Sequence, residues 1–194
     1  DIPPEWQDVI SIDPGLNNPL SAHWYCVDGD DNVYVVAEHF EAGKDVIYHS
    51  EKIKEISDRL GWKKDGSGRI RALIDSAANQ KTLASEKSVT ELFYDNGILA
   101  DPRVNKDLFS GIQTVKGYLG KDNGKPNIYI FKTCVNLIRE LKSYWWGEGD
   151  HALDELRYYL MTRPKGVTEK PQKSFIQKHK ERLCRQIRNE KRHY

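Results

Sequence analysis

The chain has 194 residues, enough for one domain with a proper buried core. At 38% hydrophobic and 30% charged it has a globular composition, and it lacks both the long apolar run of a membrane span and the basic-then-apolar start of a secretory signal. The net charge is only +1, but from Lys165 to Tyr194 ten Lys/Arg stand against three Asp/Glu, a net +7, which leaves −6 on the rest. Such a division suits acidic residues gathered around divalent cations and basic residues meeting phosphates.

The first element is Asp8-Val9-Ile10-Ser11-Ile12-Asp13, an apolar strand that ends at the turn signal Pro14-Gly15. Ala22–Val27 and Val33–Phe40 are two further strands, joined by the hairpin loop Asp28-Gly29-Asp30-Asp31-Asn32. Three sequential antiparallel strands therefore open the chain. From Val46 to Leu60 the apolar spacing at Ile53, Ile56 and Leu60 predicts a helix. Arg71–Asp75 is a short buried strand, again with an aspartate at its carboxyl end. Helices are expected over Val89–Tyr94 and Leu108–Leu119, a short strand over Asn127–Phe131, and an amphipathic helix over Val135–Trp146. Gly147-Glu148-Gly149 breaks that helix, and Asp150 caps a last one running to about Arg163. The predicted fold class is α/β, a mixed sheet flanked by helices, with a domain over 1–164 and a basic tail over 165–194.

Cys26, Cys134 and Cys184 are far apart and odd in number, which argues against a disulfide framework or a zinc knuckle and for a reducing, cytoplasmic setting. The first residue is not Met, so the sequence reads as an excised or processed piece.

Three carboxylates attract attention. Asp13 and Asp75 each follow an apolar strand, and Asp154 interrupts the apolar segment Ala152-Leu153-Asp154-Glu155-Leu156. On that helix Leu153, Leu156 and Leu160 mark the buried stripe. Asp154 falls at its edge, with Asp150 and His151 on the same side. A cluster of carboxylates repels itself unless cations neutralise it, and hard oxygen donors favour Mg²⁺ or Mn²⁺ over zinc. Each residue also has an ordinary alternative. Asp13 before Pro14-Gly15 is a turn former, Asp75 before Ser76 a helix cap, and Asp154 a partner for Arg157 or Tyr158.

Taken together, Ser11-Ile12-Asp13-Pro14-Gly15, Leu73-Ile74-Asp75-Ser76-Ala77 and Asp150-His151-Ala152-Leu153-Asp154-Glu155-Leu156-Arg157-Tyr158 resemble the nuclease domain of tailed-phage terminase large subunits, whose fold is ribonuclease-H-like. Ser110-Gly111-Ile112-Gln113 also looks like a segment of that family. The resemblance covers residues 8 to 163 and not the tail.

It implies a metal-dependent endonuclease that cuts double-stranded DNA with little sequence specificity during genome packaging in the host cytoplasm. It further implies two divalent cations held by Asp13, Asp75 and Asp154, with Asp13 expected to bridge and the others on one metal each, Asp150 as a further candidate metal ligand, and His151 as an auxiliary catalytic residue. Partners implied are DNA, the packaging ATPase domain, the small terminase subunit and the portal, and no membrane. Lys81, Lys116, Lys121, Arg157 and the tail are candidate phosphate contacts. The aromatic run Tyr144-Trp145-Trp146 reads as core and helix-end packing. Gly120-Lys121-Asp122-Asn123-Gly124-Lys125-Pro126 falls one residue short of a Walker A loop and has Pro where Ser/Thr is needed, so the ATPase is expected to be absent from this chain. A Holliday-junction-resolvase-like nuclease and a non-catalytic DNA- or portal-binding module are the competing readings.

Overall fold

A computed structural model describes residues 2–15, 18–80, 86–120, 124–143 and 151–162. Strand β1 (Gln7–Asp13) pairs antiparallel with β2 (Leu20–Val27), which pairs antiparallel with β3 (Val33–Glu41). Helix α1 (Val46–Arg59) returns the chain to β4 (Ile70–Ile74), parallel to β1. After α2 (Val89–Asp95) comes β5 (Ile98–Asp101), parallel to β4, and after α3 (Leu108–Tyr118) comes β6 (Ile128–Ile130), parallel to β3. Helices α4 (Val135–Ser143) and α5 (His151–Thr162) follow. The six strands lie in the order β5-β4-β1-β2-β3-β6. This mixed sheet with helices against it is a ribonuclease-H-like fold, as expected.

The alternation of side chains along each strand assigns the two faces. Ile10, Ile12, Ala22, Trp24 and Cys26 point to a core completed by Ile53 of α1 and Phe93 of α2. Val9, Tyr25, Val27 and Leu73 point the other way, into a core completed by Leu137 of α4 and Leu153, Leu156 and Tyr159 of α5. Every residue of β2 is buried, because both faces of this central strand are covered. Polar groups turned inward find partners: Trp24 Nε1 donates to Ser57 Oγ of α1 at 2.9 Å, and Tyr159 Oη of α5 to Asp8 of β1 at 2.6 Å.

The structure adds one strand that the sequence did not announce. β5 has four residues and follows directly on Asn96-Gly97, where Gly97 has φ 87°. So short an apolar run shows no period. It becomes a strand because β4 offers it a free parallel edge, with Ile70 opposite Ile98 and Leu73 opposite Asp101. Helix α4 is described only to Ser143; Trp145, Trp146 and the expected cap Asp150 lie outside the described residues, as do Cys184 and the tail. Cys26 and Cys134 are free and buried. Among the described residues no helix is long and apolar enough to cross a membrane.

Candidate active site

Strand parity delivers two carboxylates to one place. Residues 9, 11 and 13 of β1 and 73 and 75 at the end of β4 share the sheet face covered by α5. Ser11 lies opposite Leu73 and Ile12 opposite Ile74, so the chain leaves both parallel strands side by side at Asp13 and Asp75, and Asp75 N–H donates to Ile12 O at 3.3 Å. Beyond Asp13 the chain turns through Gly15, whose φ of 50° and close approach to the Pro19 carbonyl leave no room for a Cβ.

Helix α5 supplies the rest. His151 Nδ1 is 3.0 Å from Asp13 Oδ2, so an auxiliary residue expected near the site does touch one of its aspartates. Three residues on, Asp154 accepts a hydrogen bond from Arg157 Nη2, which makes the expected helix-face pairing real. Tyr158 Oη donates to Asp75 Oδ2 at 3.0 Å. Asp75 also takes the capping role foreseen for it: Oδ1 accepts from Ala77 N–H at 2.7 Å.

Asp13 senses the other two carboxylates. Burial pushes the Asp13 carboxyl up to about 6; His151 opposes this, and the negative charges of Asp154 and Asp75 add to it. Asp75 behaves differently. Burial acts to raise it, but hydrogen bonds from Lys106, Ala77 and Tyr158 outweigh that and hold it below the usual carboxylate range. The Tyr158 phenol, buried among Asp154, Asp75 and Asp13, is raised.

Lys106, absent from the sequence-based candidates, reaches the candidate site: its Nζ donates to Asp75 Oδ1 at 2.7 Å. It lies between β5 and α3 in a polar loop whose residues carry no periodic signal. Tyr158 was legible only as a member of the Asp-His-x-x-Asp-x-Leu-Arg-Tyr stretch. Arg157 is buried to 7% exposure and lies across Gly111 of α3, which explains why a glycine falls in the Ser110–Gln113 segment. Lys116 is exposed near the end of α3, and Lys81, Lys121 and Asp150 lie outside the described residues.

Below the site runs a buried polar chain that the sequence concealed. His23 of β2 lies between two glutamates, its Nδ1 2.6 Å from Glu155 Oε2 and its Nε2 3.1 Å from Glu38 Oε1. Tyr25 Oη also donates to Glu155, at 3.0 Å. Glu38 in turn caps α4 by accepting from the N–H groups of Asn136 and Leu137. From α4, Glu140 caps α5, accepting from Ala152 N–H at 2.9 Å and Leu153 N–H at 3.1 Å. Burial acts to lower the His23 pKa, yet the carboxylates of Glu155 and Glu38 lift it to about 9. These contacts fix the depth and rotation of α5, and hence where Asp154, His151 and Tyr158 point.

As the side chains stand, no three Asp, Glu, His or Cys among the described residues are grouped closely enough to hold one ion. Each aspartate instead meets a donor of the protein: His151, Lys106 with Tyr158, or Arg157. The donor set nevertheless fits hard divalent cations. It consists of three carboxylates, it lacks thiolate, and cationic side chains lie on two of its oxygens where positive charge is required.

No protein-family model and no curated protein matches the chain. Solved structures do. It shares the fold of the large terminase nuclease domain of phage P22 at 17% identity, with a TM-score of 0.66 and 84% of each chain covered. A TM-score of 0.55 relates it to the large terminase nuclease of thermophilic phage G20c, at 15% identity over 82% of this chain and 84% of that one. The large terminase of a further thermophilic bacteriophage matches at 22% identity and a TM-score of 0.64; 84% of this chain then covers 40% of that one.

Proposed function

We propose that this chain is the nuclease domain of a phage large terminase, which cuts double-stranded DNA with little sequence preference during genome packaging. The observation that carries the reading is the gathering of Asp13, Asp75 and Asp154 from two strand ends and a helix around the buried Tyr158. Burial together with the negative charges of Asp154 and Asp75 raises Asp13, and a divalent cation bound there would relieve that repulsion.

On this reading Asp13, Asp75 and Asp154 would hold two divalent cations, Mg²⁺ or Mn²⁺, with Asp13 common to both. Bound there, such a pair supplies Lewis-acid activation of a water and stabilisation of the leaving oxygen. The chain's own groups do the positioning. His151 orients the Asp13 carboxylate, Tyr158 fixes Asp75, and Lys106 and Arg157 place positive charge where phosphate oxygens approach. No stretch of the sequence reads as a recognition helix or a base-reading arm, which accords with cutting that is indifferent to sequence. The domain is taken as residues 1–164. The basic tail, net +7, is taken as a source of phosphate or portal contacts. The packaging ATPase and small subunit act as partners in the host cytoplasm.

The test is cleavage of supercoiled plasmid by the whole chain in Mn²⁺, beside Asp13→Asn, Asp75→Asn and Asp154→Asn. A smear from the parent chain and intact plasmid from all three variants is the expected result. Full activity in any one variant removes that residue from the site, and a few discrete bands contradict the lack of sequence preference.

A further inference from the structure

Asp75 has three donors among the described residues, and they differ in freedom. Ala77 N–H is backbone, 2.7 Å from Oδ1, and Tyr158 Oη, 3.0 Å from Oδ2, belongs to a side chain buried under α5. Lys106 Nζ, 2.7 Å from Oδ1, stands at the end of a flexible four-carbon stem, and its side chain is 42% exposed against 12% for Asp75. The backbone beneath that stem is pinned. Asn105 N–H donates to Thr162 Oγ1 at 2.9 Å, Arg157 Nη1 reaches Lys106 O at 3.5 Å, and Asp107 caps α3 through Ser110 N–H at 2.7 Å. Lys106 can therefore withdraw into solvent without moving its loop, whereas neither other donor can leave without unfolding something. A carboxylate oxygen has about two lone-pair directions, and on Oδ1 both are in use. Oδ2 accepts from Tyr158, and a cation that takes Oδ1 as well must displace Lys106, since the Ala77 N–H cannot yield.

We propose that Lys106 is a built-in competitor at the metal site: its ammonium neutralises Asp75 when no ion is bound and is displaced from Oδ1 when a divalent cation binds. Lys106 is thus a positioning residue for Asp75 that sets the affinity of the site for its cation. The inference rests on the metal-site reading above, and the two can fail separately.

Isothermal titration of the whole chain with MnCl₂, in the absence of DNA, reads this without reference to cleavage. Lys106→Met is expected to bind Mn²⁺ roughly two- to fivefold more tightly than the parent, the scale set by removal of one partly exposed ion pair. Lys106→Arg, which keeps a cation on the stem, is expected to stay close to the parent. Lys52→Met, which removes one positive charge at a helix surface where the lysine pairs with Glu55, is expected to change nothing. Unchanged or weaker binding by Lys106→Met overturns the competitor role while leaving the metal site in place. Equal tightening by Lys52→Met overturns it too, because net charge then accounts for the effect. Absence of Mn²⁺ binding by parent and variant alike overturns the metal-site reading, and the competitor role with it.

Discussion

Gly111 of α3 and Arg157 of α5 fit each other closely: a Cβ on Gly111 would fall 2.5 Å from both Cγ and Cδ of Arg157. Those atoms belong to a buried stem, so the neighbour cannot simply swing into solvent. Gly111→Ala is expected to push Arg157 off Asp154 and to separate α3 from α5, at a cost of about 1–3 kcal/mol. Urea unfolding measures the loss. A variant as stable as the parent would show that the helices yield without strain.

Glu140 should matter to the site although it lies on another helix. It is the acceptor for two N–H groups at the start of α5, and burial raises its carboxyl although these hydrogen bonds act to lower it. Glu140→Ala leaves those donors without an acceptor, a loss of about 1–3 kcal/mol. Glu140→Gln retains one amide oxygen and should fall between. Amide exchange at Ala152 and Leu153 reports the same change locally; unaltered protection there argues against the capping role.

The His23–Glu155 pair predicts a specific dependence of stability on pH. His23 is raised from 6.5 to about 9, so the folded state binds the proton more tightly than the unfolded chain. The stabilisation is full below pH 6.5 and is lost as pH rises through about 9, with a scale on the order of 3 kcal/mol. Unfolding free energies at pH 6.5 and 9.5 should differ accordingly in the parent. In Glu155→Gln, destabilised by about 3–5 kcal/mol because His23 is left buried without its main partner, the slope should flatten. An equal slope in both proteins would place the titration elsewhere.

Asp13 predicts the opposite trade. Its carboxyl is raised from 3.8 to about 6, so keeping it ionised in the folded protein carries a penalty that is absent below pH 3.8 and full above about 6. In metal-free protein Asp13→Asn should therefore gain roughly 2–3 kcal/mol at pH 8 and nothing at pH 3.5. Cleavage should be lost at the same time. Thermal melts in a chelator at both pH values decide it, and equal shifts at the two would attribute any gain to packing.

Much of this architecture was readable from local pattern. The runs ending in Asp13 and Asp75 show their strands because a buried strand needs unbroken apolar residues, and the Leu153, Leu156, Leu160 spacing shows a helix face because α5 must bury one. The same periods place the three aspartates at strand exits and at a core edge. Periodicity is a one-dimensional signal, however, and it is silent wherever a residue's role depends on a partner far along the chain. β5 exists because β4 has a free edge, and Lys106 reaches the site because its loop is pinned between α5 and α3. His23 reads as one more polar residue in a strand until Glu155, 132 positions away, arrives 2.6 Å from its ring. Sequence alone determined the longer elements and which carboxylates they carry. The tertiary structure decided what compensates those charges, because a buried carboxylate takes its proton affinity from whichever donors the fold brings within a few ångströms of it.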